Sequence, residues 1–338
     1  MHSVYQLDEV EALGRQGGIT DHALRRFRTA FFKKARTDEE CLAALPEAAR
    51  EGFRAQVSLP QLRLAERHDS VRDGATKLVF LTPEGFRVEA VILRITSGRT
   101  SLCISSQIGC AADCAFCATG RMGLTRNLST AEMLDQVVLS MRLLREEGRA
   151  LRNVVLMGMG EPFHNEKALY PALETLRDPR AFYFSERRLL VSTVGVHAAM
   201  VRFVERFPHI RLALSLHSAR QEVREKIMPT ASFHSLERLR DVLPAVTRHG
   251  NFMAEYLLLE GVNDGPADLA ALVDFLQGQP VHINLIQFNA FSGSPFRPVT
   301  REAREAFGVA LRKAGFKVTL RYSLGDDIAA ACGQLAGA

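Results

Sequence analysis

Short apolar runs alternate with longer runs of helical period along most of this chain. From about residue 100 the pairs are Leu102–Ser105 then 130–147, Asn153–Met157 then 165–176, Arg188–Thr193 then 197–207, Arg211–Leu216 then 235–248, Phe252–Leu259 then 266–277, and Val281–Gln287 then 300–314. The first member of each pair has strand length, and the second recurs near 3.6 residues. Strands alternating with helices predict a parallel sheet in an α/β fold. The six strand–helix units predict a partial (β/α)6 barrel, with chemistry at the C-terminal ends of the strands. A doubly wound open sheet satisfies the same pattern, and periodicity does not separate the two.

Upstream the pattern differs. Residues 20–36 predict one amphipathic helix, with Ala23, Phe27, Ala30 and Phe31 on its apolar face. Arg25, Arg26, Arg28, Lys33, Lys34 and Arg36 lie mostly around the other side. That face reads either as a solvated surface or as a contact for RNA phosphates, which position a substrate without reading its sequence. Residues 38–57 read as further short helices. Lys77–Thr82 and Phe86–Ile95 flank Pro83-Glu84-Gly85 and predict a β-hairpin. The expected organisation is a small N-terminal helical, RNA-binding domain over 1–60, a β-hairpin linker over 61–97, and a core over 98–338.

Composition narrows the class. Hydrophobic residues make up 47% of the 338, enough for a sizeable core and against disorder. The net charge of +5 is a mild lean toward a polyanionic partner. No segment approaches a membrane span, and Met1 to Glu9 lacks the basic-then-apolar pattern of a secretory signal. Six cysteines, three of them clustered, do not form a disulfide framework, so a reducing cytoplasm is the expected location.

The cluster is Cys110, Cys114 and Cys117, spaced C-x3-C-x2-C. Cysteine thiolates hold iron–sulfur clusters, and three ligands on a four-iron cubane leave one iron open. A structural zinc site is the alternative, but it needs a fourth Cys or His at short range, and the nearest downstream is His164. Further polar and glycine positions fall at predicted strand ends: Gly160 and Glu161, Ser192, Ser215-Leu216-His217, and Asn289. Each alone is ordinary turn chemistry. Together they mark one barrel rim. Glu161 can accept a hydrogen bond from a ligand ammonium group. Cys103 and Cys332 read in isolation as small buried hydrophobes.

The cysteine run resembles the signature of radical S-adenosylmethionine (radical SAM) enzymes. More specifically, the chain resembles the RlmN/Cfr family of RNA adenine methyltransferases. The resemblance rests on Cys103-Ile104-Ser105-Ser106-Gln107-Ile108-Gly109-Cys110, Phe116-Cys117-Ala118-Thr119-Gly120, Asn127-Leu128-Ser129-Thr130-Ala131-Glu132, Met157-Gly158-Met159-Gly160-Glu161, Gly261-Val262-Asn263-Asp264 and Ala330-Ala331-Cys332-Gly333-Gln334-Leu335. The tail motif around Cys332 is the discriminating one, because radical SAM enzymes in general lack it.

The resemblance implies a set of roles. Cys110, Cys114 and Cys117 would ligate a [4Fe–4S] cluster, and Gly160, Glu161, Ser192, Ser215, Leu216, His217 and Asn289 would bind S-adenosylmethionine. Cys332 would carry the methyl group, Cys103 would resolve the protein–RNA link by forming a disulfide with Cys332, and Glu89 would be the acid/base. Two molecules of S-adenosylmethionine would serve each turnover. The substrate would be an adenine in 23S ribosomal RNA or in transfer RNA, flipped out of its stack. The electron donor would be a flavodoxin or ferredoxin, and the protein a monomer away from membranes. A resolving disulfide requires Cα atoms within about 7 Å, so the C-terminal segment is expected to fold back over the first core strand. Two branches of the family modify C2 and C8. Gly325-Asp326-Asp327-Ile328 resembles the C2 branch, whereas Ser215-Leu216-His217-Ser218 and Met228-Pro229 resemble the C8 branch, toward which the chain leans. A radical SAM enzyme on another RNA, a protein or a small molecule, and a non-catalytic Fe–S or zinc RNA-binding module, are the competing classes.

Overall fold

In the computed structural model residues 1–336 are described; Gly337 and Ala338, the last two of the expected core, lie outside them. The N-terminal elements are β1 (His2–Ser3), α1 (Leu7–Gln16), α2 (Asp21–Arg28), α3 (Asp38–Leu42), α4 (Glu47–Gln56) and β2 (Val57–Ser58), with β1 and β2 paired in parallel. Thr20 caps α2 by accepting from the Ala23 N–H, and Thr37 forms a capping box with Glu40 at α3. The expected helix over 20–36 is not regular: α2 widens into a π turn over Thr29–Lys33. The wider turn lets the neighbours Phe31 and Phe32 both reach the core, where they are buried with ring centroids 4.8 Å apart.

Next come β3 (Arg63–Asp69), β4 (Ala75–Leu81), β5 (Arg87–Arg94) and β6 (Thr100–Ile104), paired antiparallel in succession. The expected hairpin is β4–β5, but it is not a detached linker, since β5 pairs directly with β6 of the core. A small hairpin, β7 (Gln107–Gly109) and β8 (Leu124–Asn127), then flanks the cysteine loop and the short α5 (Ala118–Arg121). The alternating units follow: α6 (Thr130–Glu146), β9 (Asn153–Leu156), α7 (Glu166–Arg177), β10 (Leu189–Thr193), α8 (His197–Arg206), β11 (Arg211–Ser215), α9 (Gln221–Ile227), α10 (Leu236–Thr247), β12 (Phe252–Leu258), α11 (Pro266–Leu276), β13 (His282–Gln287), α12 (Arg301–Lys313) and β14 (Lys317–Arg321).

The ten strands from β3 to β14, without β7 and β8, form one sheet whose spatial order follows the chain order throughout. A doubly wound sheet reverses direction at a switch point. This sheet never does, so successive crossovers of one hand stack the helices on one face. Side chains from β5, β6 and each of β9 to β14 border a single cavity on the other face. The sheet is therefore curled, and the partial barrel expected from six units is what forms. Six strands escaped the sequence reading: β1, β2 and β7, which are only two or three residues long, and β3, β8 and β14. β3 and β14 are the two edges of the large sheet: β3 is mostly exposed and charged and lacks apolar alternation, whereas β14 is a five-residue strand whose Val318 and Leu320 alternate onto the core. β8 is largely exposed as well. Among the described residues, no helix is long and apolar enough to cross a membrane.

The N-terminal helices share the core of the barrel. Tyr5, Phe31 and Phe32 pack with Phe182, and one apolar cluster runs from Val4 to Leu311. A buried carboxylate pins the two parts together. Asp135 on α6 accepts from Tyr5 Oη at 2.7 Å and from the backbone N–H groups of Gln61 and Leu62 at 2.8 and 3.1 Å. Asp135→Ala would leave three donors without a partner in the interior. We expect it to lower unfolding stability by about 2–4 kcal/mol, read as a reduced urea midpoint.

Candidate active site

The cavity behind the sheet has a volume of about 520 Å³. Its wall includes Cys103 from β6, the three loop cysteines, Gly160 and Glu161 after β9, Ser192 at the end of β10, Ser215 at the end of β11, His217, and Cys332. Residues distant in the chain meet there because the C-terminal segment folds back. The Ala118 N–H donates to the Gly333 carbonyl at 2.7 Å, and Thr119 Oγ1 donates to the Leu335 carbonyl at 2.5 Å. Gly333 has φ +86°, and a Cβ there would lie 3.1 Å from the Phe116 carbonyl. Only glycine lets the tail lie this close to the cysteine loop. Val91, Cys103, Met159, Ala330 and Leu335 form a small apolar cluster under the tail.

The rest of the site is built of strand ends. Gly160 (φ +99°) presses on Gln107, whose Oε1 accepts from the Glu161 N–H at 2.8 Å. Glu161 is buried and accepts from the N–H groups of Phe163 and Val194, at 3.0 and 2.8 Å. Burial pushes its carboxyl up to about 7 against these bonds. Further acceptor capacity remains for a ligand cation. Ser192 Oγ and Ser215 Oγ are 3.3 Å apart. His217 adopts φ +56° and its Nδ1 accepts from the Leu257 N–H at 3.1 Å. Burial, aided by the Arg224 charge, lowers the ring to about 3. The imidazole is thus neutral with its proton on Nε2, a donor.

The profile of the radical SAM superfamily matches residues 104–276. The chain is 48% identical to a probable RNA methyltransferase of Rhodopirellula baltica, over 98% of this chain and 87% of the relative. It is 38% identical to a probable dual-specificity RNA methyltransferase RlmN of Thermus thermophilus, over 90% of this chain and 86% of that one. The crystal structure of a radical SAM methyltransferase from Sphaerobacter thermophilus superposes with a TM-score of 0.94 at 34% identity, covering 100% of both chains. The chain belongs to the radical SAM superfamily, in its RlmN-type methyltransferase family.

Radical SAM proteins carry a [4Fe–4S] cluster and S-adenosylmethionine, and the donor set here fits both. Cys114 lies within the influence of the other two loop thiols: burial and then Cys117 and Cys110 raise it well above the ordinary thiol value. The Ala112 N–H points at Cys110 Sγ, 3.4 Å away, as it would toward a thiolate ligand. Among the described residues no three His, Cys, Asp or Glu side chains are arranged to hold one metal ion. A cubane assigns each cysteine to a different iron, so its thiolates stand further apart than the ligands of a single ion.

Three expected site residues are placed differently from the sequence reading. Leu216 does not border the cavity; its side chain is in the core, and its carbonyl accepts from Arg224 Nε. Asn289 does not border it either. Its Nδ2 donates to Ser323 Oγ at 2.8 Å and to the Cys332 carbonyl at 3.2 Å, so it holds the tail. Glu89 lies behind the tail: Ala336 N–H donates to its Oε2 at 3.1 Å, and Lys77 Nζ is 3.6 Å from Oε1. Cys103 and Cys332 are free thiols, with no disulfide between them. Of the basic residues, Arg28 is ion-paired to Glu11, while Arg25, Arg26, Lys33 and Lys34 are exposed. Sequence reasoning passed over Lys77, Arg224 and the role of Asn263, whose side chain bonds the carbonyls of His217 and Leu257 and the N–H of Leu259. Nothing in a charged residue on a short polar helix distinguishes Arg224 from a solvated one.

Cys332 is exposed and borders the cavity. The protein packed around it still pushes its thiol up to about 11, with Arg321 pulling the other way, and burial with the neighbouring Cys332 pushes Cys103 up to about 12. The thiolate is the reactive form. In metal-free protein, alkylation of Cys332 by iodoacetamide is expected to be far slower than for a free cysteine near pH 7. It should then rise about tenfold per pH unit to pH 9, read by peptide mass spectrometry. A plateau below pH 8 would contradict this raised value.

Proposed function

We propose that this chain methylates an sp² carbon, C2 or C8, of an adenine in RNA, with 23S ribosomal RNA as first substrate and transfer RNA as second. The observation that carries this reading is that Cys103 and Cys332, from opposite ends of the barrel, border one cavity with Cys110, Cys114 and Cys117. RNA as the substrate class draws its support from the relatives named RNA methyltransferases.

Cys110, Cys114 and Cys117 would hold the cluster. Glu161, the Gly160 backbone, Ser192, Ser215 and His217 would hold S-adenosylmethionine. When bound, this pair supplies methyl groups and, on one-electron reduction, a radical that abstracts hydrogen. The chain's own residues do the rest. The Cys332 thiolate takes a methyl group by displacement, and the carbon it then carries is delivered to the adenine. Asn289 fixes the Cys332 backbone while this happens. After addition the adenine carbon is bonded to Cys332 through the methylene; the adduct would give up its unpaired electron to the oxidised cluster, and the ring proton leaves to a base. Glu89, bracketed by Lys77 Nζ and the Ala336 N–H of the tail, would be that base. The Cys103 thiolate then attacks the Cys332 sulfur: an S–S bond forms, the S–C bond breaks with its electron pair going to the methylene carbon, that carbon takes up a proton to become the methyl group, and methylated RNA departs.

The test uses anaerobically reconstituted protein, methyl-labelled S-adenosylmethionine, a low-potential reductant, and ribosomal or transfer RNA. Wild type should label adenine carbon, with C2 and C8 told apart by nucleoside mass spectrometry. Cys332→Ala should lose labelling entirely, and Cys103→Ala should accumulate a covalent protein–RNA adduct. Unchanged labelling in Cys332→Ala would falsify the reading.

The exposed cations of the N-terminal body supply the RNA-binding side. His22, Arg25, Arg26, Lys34 and Arg36 border one groove, in which Glu40 is the carboxylate, paired to Arg36 and Arg145. Replacing Arg25 and Arg26 by Glu should weaken RNA binding and reduce the slope of log affinity against log salt by about 1 for each phosphate no longer neutralised. Methylation of a free adenosine-containing dinucleotide should be unaffected.

A further inference from the structure

Arg224 on α9 is completely buried. Its guanidinium donates to three backbone carbonyls: Leu216 at 3.1 Å, His234 at 3.0 Å and Val194 at 2.6 Å. Among the described residues no carboxylate pairs with it. A buried cation bonded only to neutral dipoles keeps most of its desolvation penalty, because carbonyls satisfy its hydrogens and leave its charge. The groups around it show where that charge is directed. α9 ends beneath the cysteine loop: the Ala115 N–H donates to the Ile227 carbonyl at 3.0 Å, and Ile227 and Met228 pack with Cys110, Ala112 and Cys114. As a thiolate, Cys114 would be the anion acting on Arg224 across this packing. The two histidines nearby, His217 and His234, are both driven toward neutrality, so neither adds a second positive charge.

We propose that Arg224 is a positioning residue whose fixed positive charge serves as the counter-ion of the thiolate-bound cluster and raises its midpoint potential, making it easier to reduce. This rests on the reading of Cys110, Cys114 and Cys117 as cluster ligands. The reduction potential of an iron–sulfur cluster depends on the charge around it, and in a water-poor interior a nearby cation counts for more than it would in solution. The added electron makes the cluster more negative, so a cation on its cysteine side favours the reduced form. The same side chain ties the ends of β10 and β11, where Val194 and Leu216 lie, to α9 and the His234 loop, and so holds the charge in place.

The experiment is a redox titration of reconstituted protein followed by electron paramagnetic resonance, with iron content measured in parallel. Arg224→Gln keeps donors for the carbonyls and removes the charge. At the wild-type midpoint its ratio of reduced to oxidised cluster should fall about tenfold, equivalent to about 59 mV for one electron. Arg224→Lys should stay close to wild type. His234→Glu keeps the backbone carbonyl that holds the guanidinium and replaces a half-buried ring, bonded to His197, by a carboxylate within electrostatic reach of Arg224. It should shift the potential in the same negative direction, and it tests the idea even if the glutamine variant does not fold. Midpoints equal to wild type in His234→Glu and in any folded Arg224→Gln, at full iron content, would overturn the inference. A wild-type protein that assembles no cluster on its three cysteines would overturn both the inference and the site reading beneath it.

Discussion

The tail from Gly325 to Ala336 must lie in contact with a loop more than two hundred residues earlier, and the whole site depends on that contact. It is held by several small interactions. The Gly325 N–H donates to Asp73 Oδ2 at 2.8 Å, and Asp327 accepts from Ser70 Oγ at 2.8 Å and the Val71 N–H at 3.1 Å. Gln334 reaches the Ala290 carbonyl and Asp326, Asn289 reaches the Cys332 carbonyl, and Ala118 and Thr119 close on Gly333 and Leu335. Each is a modest hydrogen bond in net terms. Together they span β3–β4, β13 and the cysteine loop, so the tail cannot leave one anchor without straining the others.

The cavity's electrostatics follow from the same enclosure. The tail covers one side of the barrel mouth and the sheet curls around the other, so Cys103, Cys110, Cys114 and the Glu161 carboxyl are shielded from water. Burial raises Cys103, Cys110 and Cys332 and lifts Glu161 to about 7. It lowers His217 and Arg224. Every group is thereby pushed toward its neutral form, which is costly for a site meant to hold thiolates. Cations at Arg224 and Arg321 work against that trend, one beneath the cysteine loop and the other facing Cys103 and Cys332. Charge neutralisation by a bound cluster and a bound sulfonium ligand would complete the balance.

The first strands of the sheet are covered by the tail in the same way. β5 carries Glu89, Val91 and Leu93 on one face, and the last two line the cavity. The first lies one step further along, beneath Ala336. A strand reading places all three on a shared face but does not say that the tail separates them. Likewise Asn289 follows its strand as expected, yet its amide is spent on the tail rather than on the cavity.

By itself the sequence determined the alternation of six strands and helices, the β4–β5 hairpin, the cysteine loop, and the family to which the tail motif points, because these are local periodicities and short contiguous motifs. It did not separate a curled sheet from a doubly wound one, since both share one pattern of strands and helices and differ only in spatial order. Nor did it show β3, whose edge position frees it from apolar alternation, the short edge strand β14, or the π turn that brings Phe31 and Phe32 inward together. Only the tertiary structure turned Asn289 from the cavity to the tail, set Glu89 behind Ala336, and buried Arg224 without a carboxylate. Those outcomes depend on which distant backbone happens to lie against a side chain, and hydrogen bonds to distant main chain leave no signature in the residues that make them.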